Sequence, residues 1–230
     1  MPFLDRREAG RRLVGRLRAF SGPDTVVLGL PCGGVPVAYE VATALRAPLD
    51  VAVVRKLEVP HRPRLVFGAA AEGGVRVVDD ELLVRAFVSP AERARLEREA
   101  REAVLRRAAR FRRVQERLSL ADRTAVLVDD GVATGATARA ACLLARRRGA
   151  ARVVFAVPVG SCRPIRALAA HADNVICLET PELFHTIGHW YGDFEPVHES
   201  AVGELLDSAA ELLRTPPTQP IRLHREPAGP

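Results

Sequence analysis

The chain has 230 residues, 48% hydrophobic and 27% charged, with a formal net charge of +6. That length and balance fit a soluble globular domain with an extension; the stretch Met1 to Arg7 has no apolar signal region and no run reaches the length of a membrane span, so no membrane partner is expected. The basic side is almost all arginine, with Lys56 the sole lysine, and Cys32, Cys142, Cys162 and Cys177 form neither a CxxC pair nor a metal spacing; arginine bias alone is weak evidence for nucleic-acid binding, and the thiols read as reduced, in a cytoplasmic protein.

In chain order, Asp5 to Phe20 reads as a helix, with Asp5 and Glu8 as a capping box and Leu13, Val14 and Leu17 on one face. Thr25 to Leu30 is an unbroken apolar run, hence a buried strand, and Pro31-Cys32-Gly33-Gly34 turns it into a helix over Val35 to Leu45. Leu49 to Val54 is a second buried strand, ending in Arg55-Lys56. Together these make a right-handed βαβ unit. Leu57 to Val78 mixes prolines, glycines and short apolar pieces, which fits a β-ribbon or a mobile lid. Pro90 to Leu118 predicts a long helix with Leu96, Ala100, Ala103, Val104, Ala108 and Phe111 on its apolar face, and with Glu97–Arg101 and Glu102–Arg106 as four-apart pairs. Its interleaved glutamates dilute any nucleic-acid-binding stripe. Strands are expected at Ala125 to Val128, Arg152 to Val159 and Asn174 to Leu178, with a short helix at Pro164 to Ala170 and a last one at Ala201 to Leu213. Residues 215–230 form a proline-rich tail, expected to be disordered.

The most informative stretch is Ala125-Val126-Leu127-Val128-Asp129-Asp130-Gly131-Val132-Ala133-Thr134-Gly135-Ala136-Thr137. An apolar strand ends in two carboxylates, and a loop rich in glycine and threonine then opens an Ala/Leu-rich helix. A helix N-terminus with free backbone N–H groups suits a phosphate, and paired carboxylates suit sugar hydroxyls. Both together describe a ribose 5-phosphate. A Walker A loop would need Lys where Ala136 stands, and Gly131 and Gly135 are spaced wrongly for a dinucleotide fingerprint.

This stretch resembles the signature of the type I phosphoribosyltransferases, and the likeness extends to an uncharacterised branch of that family. The resemblance implies an α/β fold: a parallel, doubly wound sheet with a helical arm inserted at about 88–119, and a small C-terminal hood at about 180–199, within a domain spanning 1–214. It implies an enzyme that moves ribose 5-phosphate from phosphoribosyl pyrophosphate to a nitrogenous base and releases pyrophosphate. Asp129 and Asp130 would bind the ribose diol, and Gly131, Val132, Ala133, Thr134, Gly135, Ala136 and Thr137 the 5-phosphate. Cys32, Gly33 and Gly34 would form the pyrophosphate loop, and Lys56 with Arg55 would be catalytic. Phe184, Trp190, Tyr191 and Phe194 would supply a stacking surface for the base. No protein metal site is implied, because Mg²⁺ would travel with the pyrophosphate, and members of the fold are often homodimers.

The chain departs from its relatives at four points. Ala133 stands where 6-oxopurine enzymes carry an aspartate, which argues against hypoxanthine, guanine and xanthine. Cys32 replaces an arginine of the recognised relatives, Glu58 a glycine, and Arg64 an acid. These departures leave open a second reading, a regulatory protein that senses phosphoribosyl pyrophosphate or a nucleotide without turnover.

Overall fold

Unbroken apolar runs become strands covered on both faces, and these build the centre of the molecule. The computed structural model describes residues 3–60, 62–113 and 115–214; the tail expected at 215–230 lies outside them. The elements run α1 (Arg6–Leu17), β1 (Thr25–Gly29), α2 (Gly34–Leu45), β2 (Leu49–Val51), β3 (Val54–Val59), β4 (Arg62–Ala71), β5 (Arg76–Val78) and α3 (Asp80–Arg85). They continue through α4 (Pro90–Phe111), β6 (Thr124–Val128), α5 (Ala136–Arg147), β7 (Arg152–Val159), α6 (Cys162–Ala167), β8 (Asn174–Glu179) and α7 (Glu199–Arg214).

Five parallel strands form one sheet in the order β2-β1-β6-β7-β8. Period-two alternation sorts their side chains. Val26, Leu28, Leu127 and Phe155 face α5, while Val27, Val126, Val128 and Val154 face α1, α2 and α7. The sheet is therefore doubly wound. Its order reverses between β1 and β6, and a crevice opens at the carboxyl ends of strands at such a switch point.

Two of the expected elements come out differently. The second core strand stops at Val51, and Val54 to Lys56 belongs to β3, which pairs antiparallel with β4. Arg55 and Lys56 thus open a ribbon of β3, β4 and β5 rather than ending a core strand. The ribbon is packed, not a loose lid: Leu57, Val59 and Phe67 are buried against Leu83 of α3 and Ala100 of α4. Arg62 at its start is exposed, and the side chain of Arg64 lies outside the described residues.

The arm helix α4 starts where expected, with Ser89 capping it through a hydrogen bond from the Glu92 amide, and ends at Phe111 rather than Leu118. Ala100, Val104, Ala108 and Phe111 are its buried face. Glu102 pairs with Arg106 as expected, but Glu97 is held by Arg93 (2.8 Å) and by Arg76 of the ribbon.

A buried ionic cluster joins these parts. Asp50 of β2 is fully buried and accepts from Arg112 (2.5 Å) and from the Leu118 amide (3.1 Å), with Arg148 at 3.6 Å. Glu72, 2% exposed, pairs with Arg112 (3.4 Å) and Arg117 (2.5 Å). The sheet edge, the ribbon and the residues after α4 and α5 are thereby tied together. Removing one partner of such a cluster strands the others in a poorly solvated place. Asp50→Ala is expected to cost about 3 kcal/mol in urea unfolding; a loss below about 1 kcal/mol would show that the arginines find other partners.

Candidate functional site

A cleft of about 860 Å³ lies at the switch point, lined by Leu30 and Gly33 after β1, Asp129 and Asp130 after β6, Arg55 and Lys56 of the ribbon, and Arg107 of the arm. Four chain segments far apart in sequence meet there. The loop before α5 adds Gly131, Ala133, Thr134 and Thr137, and the segment before α7 adds His185, Thr186, Ile187, Gly188 and Phe194.

The acid pair forms the floor. Asp129 lies partly accessible along the cleft, its Oδ1 accepting from the Asp130 amide at 2.9 Å. Burial pushes its carboxyl well above the ordinary carboxylate range, the Asp130 charge adds to this, and the charge of Lys56 opposes it. Asp130 is also pushed up by burial, and Arg6 and then Lys56 pull it back. Two neighbouring acids in a poorly solvated floor are thus held by one cation on each side.

Arg6 is not legible in the sequence as a site residue. Its Nε donates to Asp130 Oδ2 at 2.9 Å, with both side chains nearly buried. Nη1 donates to the Glu195 carbonyl at 2.9 Å, and the guanidinium lies 3.9 Å from the centre of the Phe194 ring. In sequence Arg6 is one arginine among several on the first helix, separated from Asp130 by most of the sheet. Only the topology brings them together.

The loop after β6 keeps strand-like pairing as far as Val132, whose amide donates to Val159 O at 3.0 Å. Gly135 then takes φ +79°, a conformation that favours glycine, and caps α5. Arg139 N bonds to Gly135 O at 2.9 Å, so the amides just ahead of it have no acceptor within the helix. The Thr134 and Thr137 side chains border the same space. This is a place where an anion meets amides, hydroxyls and the positive end of a helix.

Gly33 and Gly34 allow a close approach of the β1 loop to the acid pair. A Cβ on Gly34 would lie 2.7 Å from Val128 O, and one on Gly33 would lie 2.0 Å from Asp130 Oδ2. The glycines let the β1 loop, whose Pro31–Cys32 peptide is cis, lie against the acid pair. Cys32 is half-buried and accepts from Arg107 Nη2 at 2.6 Å. Burial raises its thiol pKa against the pull of Arg107, which makes it a poor nucleophile.

Of the four aromatic residues expected over the site, one lines the cleft. Tyr191 is buried with Phe3 and Val159, and Phe184 and Trp190 pack on that cluster, so these three belong to a satellite core instead of lining the cleft. Tyr191 also donates to the Asp130 carbonyl at 2.6 Å, which fixes the strand end from behind. The ring that reaches the cleft is Phe194, stacked on Tyr191 with centroids 4.9 Å apart. Aromatic content alone could not separate the ring facing the cleft from those beneath it. Val132, Gly135 and Ala136 belong to the loop before α5 without lining the space, as Gly34 does in the loop after β1.

Sheet order and cleft together define a doubly wound α/β protein with its binding site at the carboxyl ends of the strands around the switch point. Residues 6–190 match the profile of the phosphoribosyl transferase domain, and the chain belongs to that family. Two relatives from Mycobacterium tuberculosis, strains CDC 1551 and H37Rv, carry names that assign them provisionally to the phosphoribosyl transferases. Each is 51% identical over 207 residues, which cover 90% of this chain and 47% of the relative. The chain thus spans about half the length of these curated relatives. A protein of Thermus thermophilus, solved by crystallography, is 40% identical and superimposes with a TM-score of 0.75 over 90% of this chain and 99% of that one.

The raised carboxyls carry a prediction about stability. A carboxyl whose folded pKa lies above its unfolded value costs stability at pH above the folded pKa. The cost fades on acidification and vanishes below the unfolded value. Asp129→Asn is therefore expected to raise Tm at pH 8 by roughly 2–4 °C, the shift that about 1 kcal/mol makes in a chain of this size. The gain should shrink as the pH falls toward the ordinary carboxylate range. Thermal melts across pH check this, and a lower Tm for the variant at pH 8 would contradict it.

Proposed function

We propose that this domain is a phosphoribosyltransferase that moves ribose 5-phosphate from phosphoribosyl pyrophosphate to a nitrogenous base. The observation that carries this reading is the meeting of an acid pair, an amide-rich helix start and basic side chains in one cleft. The amides before Arg139, with Thr134 and Thr137, suit the 5-phosphate. Asp129 and Asp130 suit the ribose 2- and 3-hydroxyls, which donate hydrogen bonds to carboxylates. In the reaction the bond from ribose C1 to pyrophosphate breaks as a bond from C1 to a base nitrogen forms, and that nitrogen gives up a proton. Positive charge grows on the sugar and negative charge on the departing oxygens. Lys56 and Arg55 stand where they can offset the latter.

Mg²⁺ belongs to this reading as a companion of the pyrophosphate, whose charge it neutralises. Among the described residues no group of three or more His, Cys, Asp or Glu side chains could cage a metal ion. Substrate oxygens, with Asp129, Asp130 or Glu58 beside the cleft, are what this chain could offer a hard cation. The base would enter beside Ile187, Gly188 and Phe194, an apolar wall with His185 and Thr186 as its polar groups. Ala133 gives the loop no carboxylate for a 6-oxopurine.

The test is a screen of purines, pyrimidines and other heterocycles, each with phosphoribosyl pyrophosphate and Mg²⁺, for pyrophosphate release. Release that depends on one base is expected. Lys56→Ala should then lower kcat about 100-fold and leave affinity for the nucleotide product nearly unchanged. Tight binding of the donor with no release for any base would point instead to a sensor on the same fold.

A further inference from the structure

We propose that Arg107, on the arm helix, is a pyrophosphate-binding residue that joins Lys56 and Arg55 in the basic lining of the cleft. The inference rests on the reading above, and three observations carry it.

The first is position. Val104 and Ala103 line the cleft, and Arg107 follows them by three and four residues on the same helical face. Its side chain therefore leaves the arm toward the loop after β1, where it meets Cys32 and Pro31. Lys56 and Arg55 reach the same cleft from the ribbon. The arm and the ribbon pack on each other, so two elements contribute basic groups to one cleft.

The second is the state of its donors. A guanidinium has five N–H donors in a planar fork that matches the oxygens of a phosphate. Here Nε is buried and forms an ion pair with Glu199 Oε1, 2.9 Å away at the start of α7, without a hydrogen bond. The two terminal nitrogens have poor partners: Nη2 donates to the Cys32 sulfur at 2.6 Å, and Nη1 to the Pro31 carbonyl at 3.5 Å. A thiol is a weak acceptor and a carbonyl at that distance is at the limit of a bond. Phosphate oxygens would be far better partners for both.

The third is charge. Glu199 is shared, since Arg110 Nη1 also lies 2.9 Å from its Oε2. One carboxylate faces two guanidiniums, so a positive charge is left over at the cleft wall. Glu199 draws the guanidinium by charge from the Nε side, and the terminal nitrogens meet the loop. The arm is then more than a crossover: it carries a substrate contact, and α7 orients it.

Calorimetry with two ligands tests this. Magnesium pyrophosphate and ribose 5-phosphate are titrated separately into the wild type, Arg107→Ala and Arg107→Lys. Arg107→Ala is expected to weaken pyrophosphate binding about 10- to 100-fold, as for loss of charge-assisted hydrogen bonds, and to leave ribose 5-phosphate binding within about twofold. Arg107→Lys, which keeps the charge and loses the fork, should fall between. Equal weakening of both ligands would make Arg107 a structural residue and overturn the inference. So would unchanged pyrophosphate affinity in Arg107→Ala, with the transferase reading left standing. A wild type that binds neither ligand would overturn both.

Discussion

Two adjacent carboxylates at the end of a central strand are the constraint around which this molecule is arranged. Side by side and poorly solvated, Asp129 and Asp130 repel each other and resist ionisation. They need cations, and these come from two different elements. Arg6 arrives from the first helix, and Lys56 from the ribbon. Arg6 is held in turn by the Glu195 carbonyl and the Phe194 ring, so balancing one acid recruits the segment before the last helix. Phe3 extends this from the other side, pairing with the Trp190–Gly192 backbone. A stretch poor in regular structure is thus pinned to the sheet by one charge and a few rings.

Much of the sheet was legible because its signals are local. Apolar runs of the right length, bounded by glycine and proline, placed the core strands, and two acids before a Gly/Thr loop marked a stretch that lines the cleft. Where the reading failed, the deciding contacts were distant. Nothing between Leu49 and Lys56 says that the chain leaves one sheet at Val51 and joins another at Val54. That break depends on pairing with β4, which lies further along. The aromatic segment misled for a related reason: Tyr191, Trp190 and Phe184 look alike as candidates for stacking on a base until Phe3 is seen to cover them. Arg6 and Arg107 were hidden among many arginines, and only the fold distinguishes them from their solvated neighbours.

The arginines in fact divide into groups with different physical work. Arg112, Arg117 and Arg148 neutralise the buried Asp50 and Glu72 and hold sheet, ribbon and arm in register. Arg93, Arg95 and Arg106 make helix-surface pairs of small worth. Arg6, Arg55 and Arg107 reach the site, by the acid pair or along the cleft wall. A net charge of +6 says nothing of this division. The buried cluster also explains why the ribbon can present basic side chains at a fixed place: it is anchored at Glu72, close to where β4 ends.

The role of the acid pair as the ribose site is the claim on which most depends. Titration of phosphoribosyl pyrophosphate with Mg²⁺ into the wild type and Asp130→Asn tests this directly. The substitution keeps the shape and removes the charge that the diol would meet. Tight binding by the wild type is predicted, with a loss of about tenfold or more in the variant, the scale of a hydrogen bond to a charged group. Equal affinity in the two proteins would contradict it.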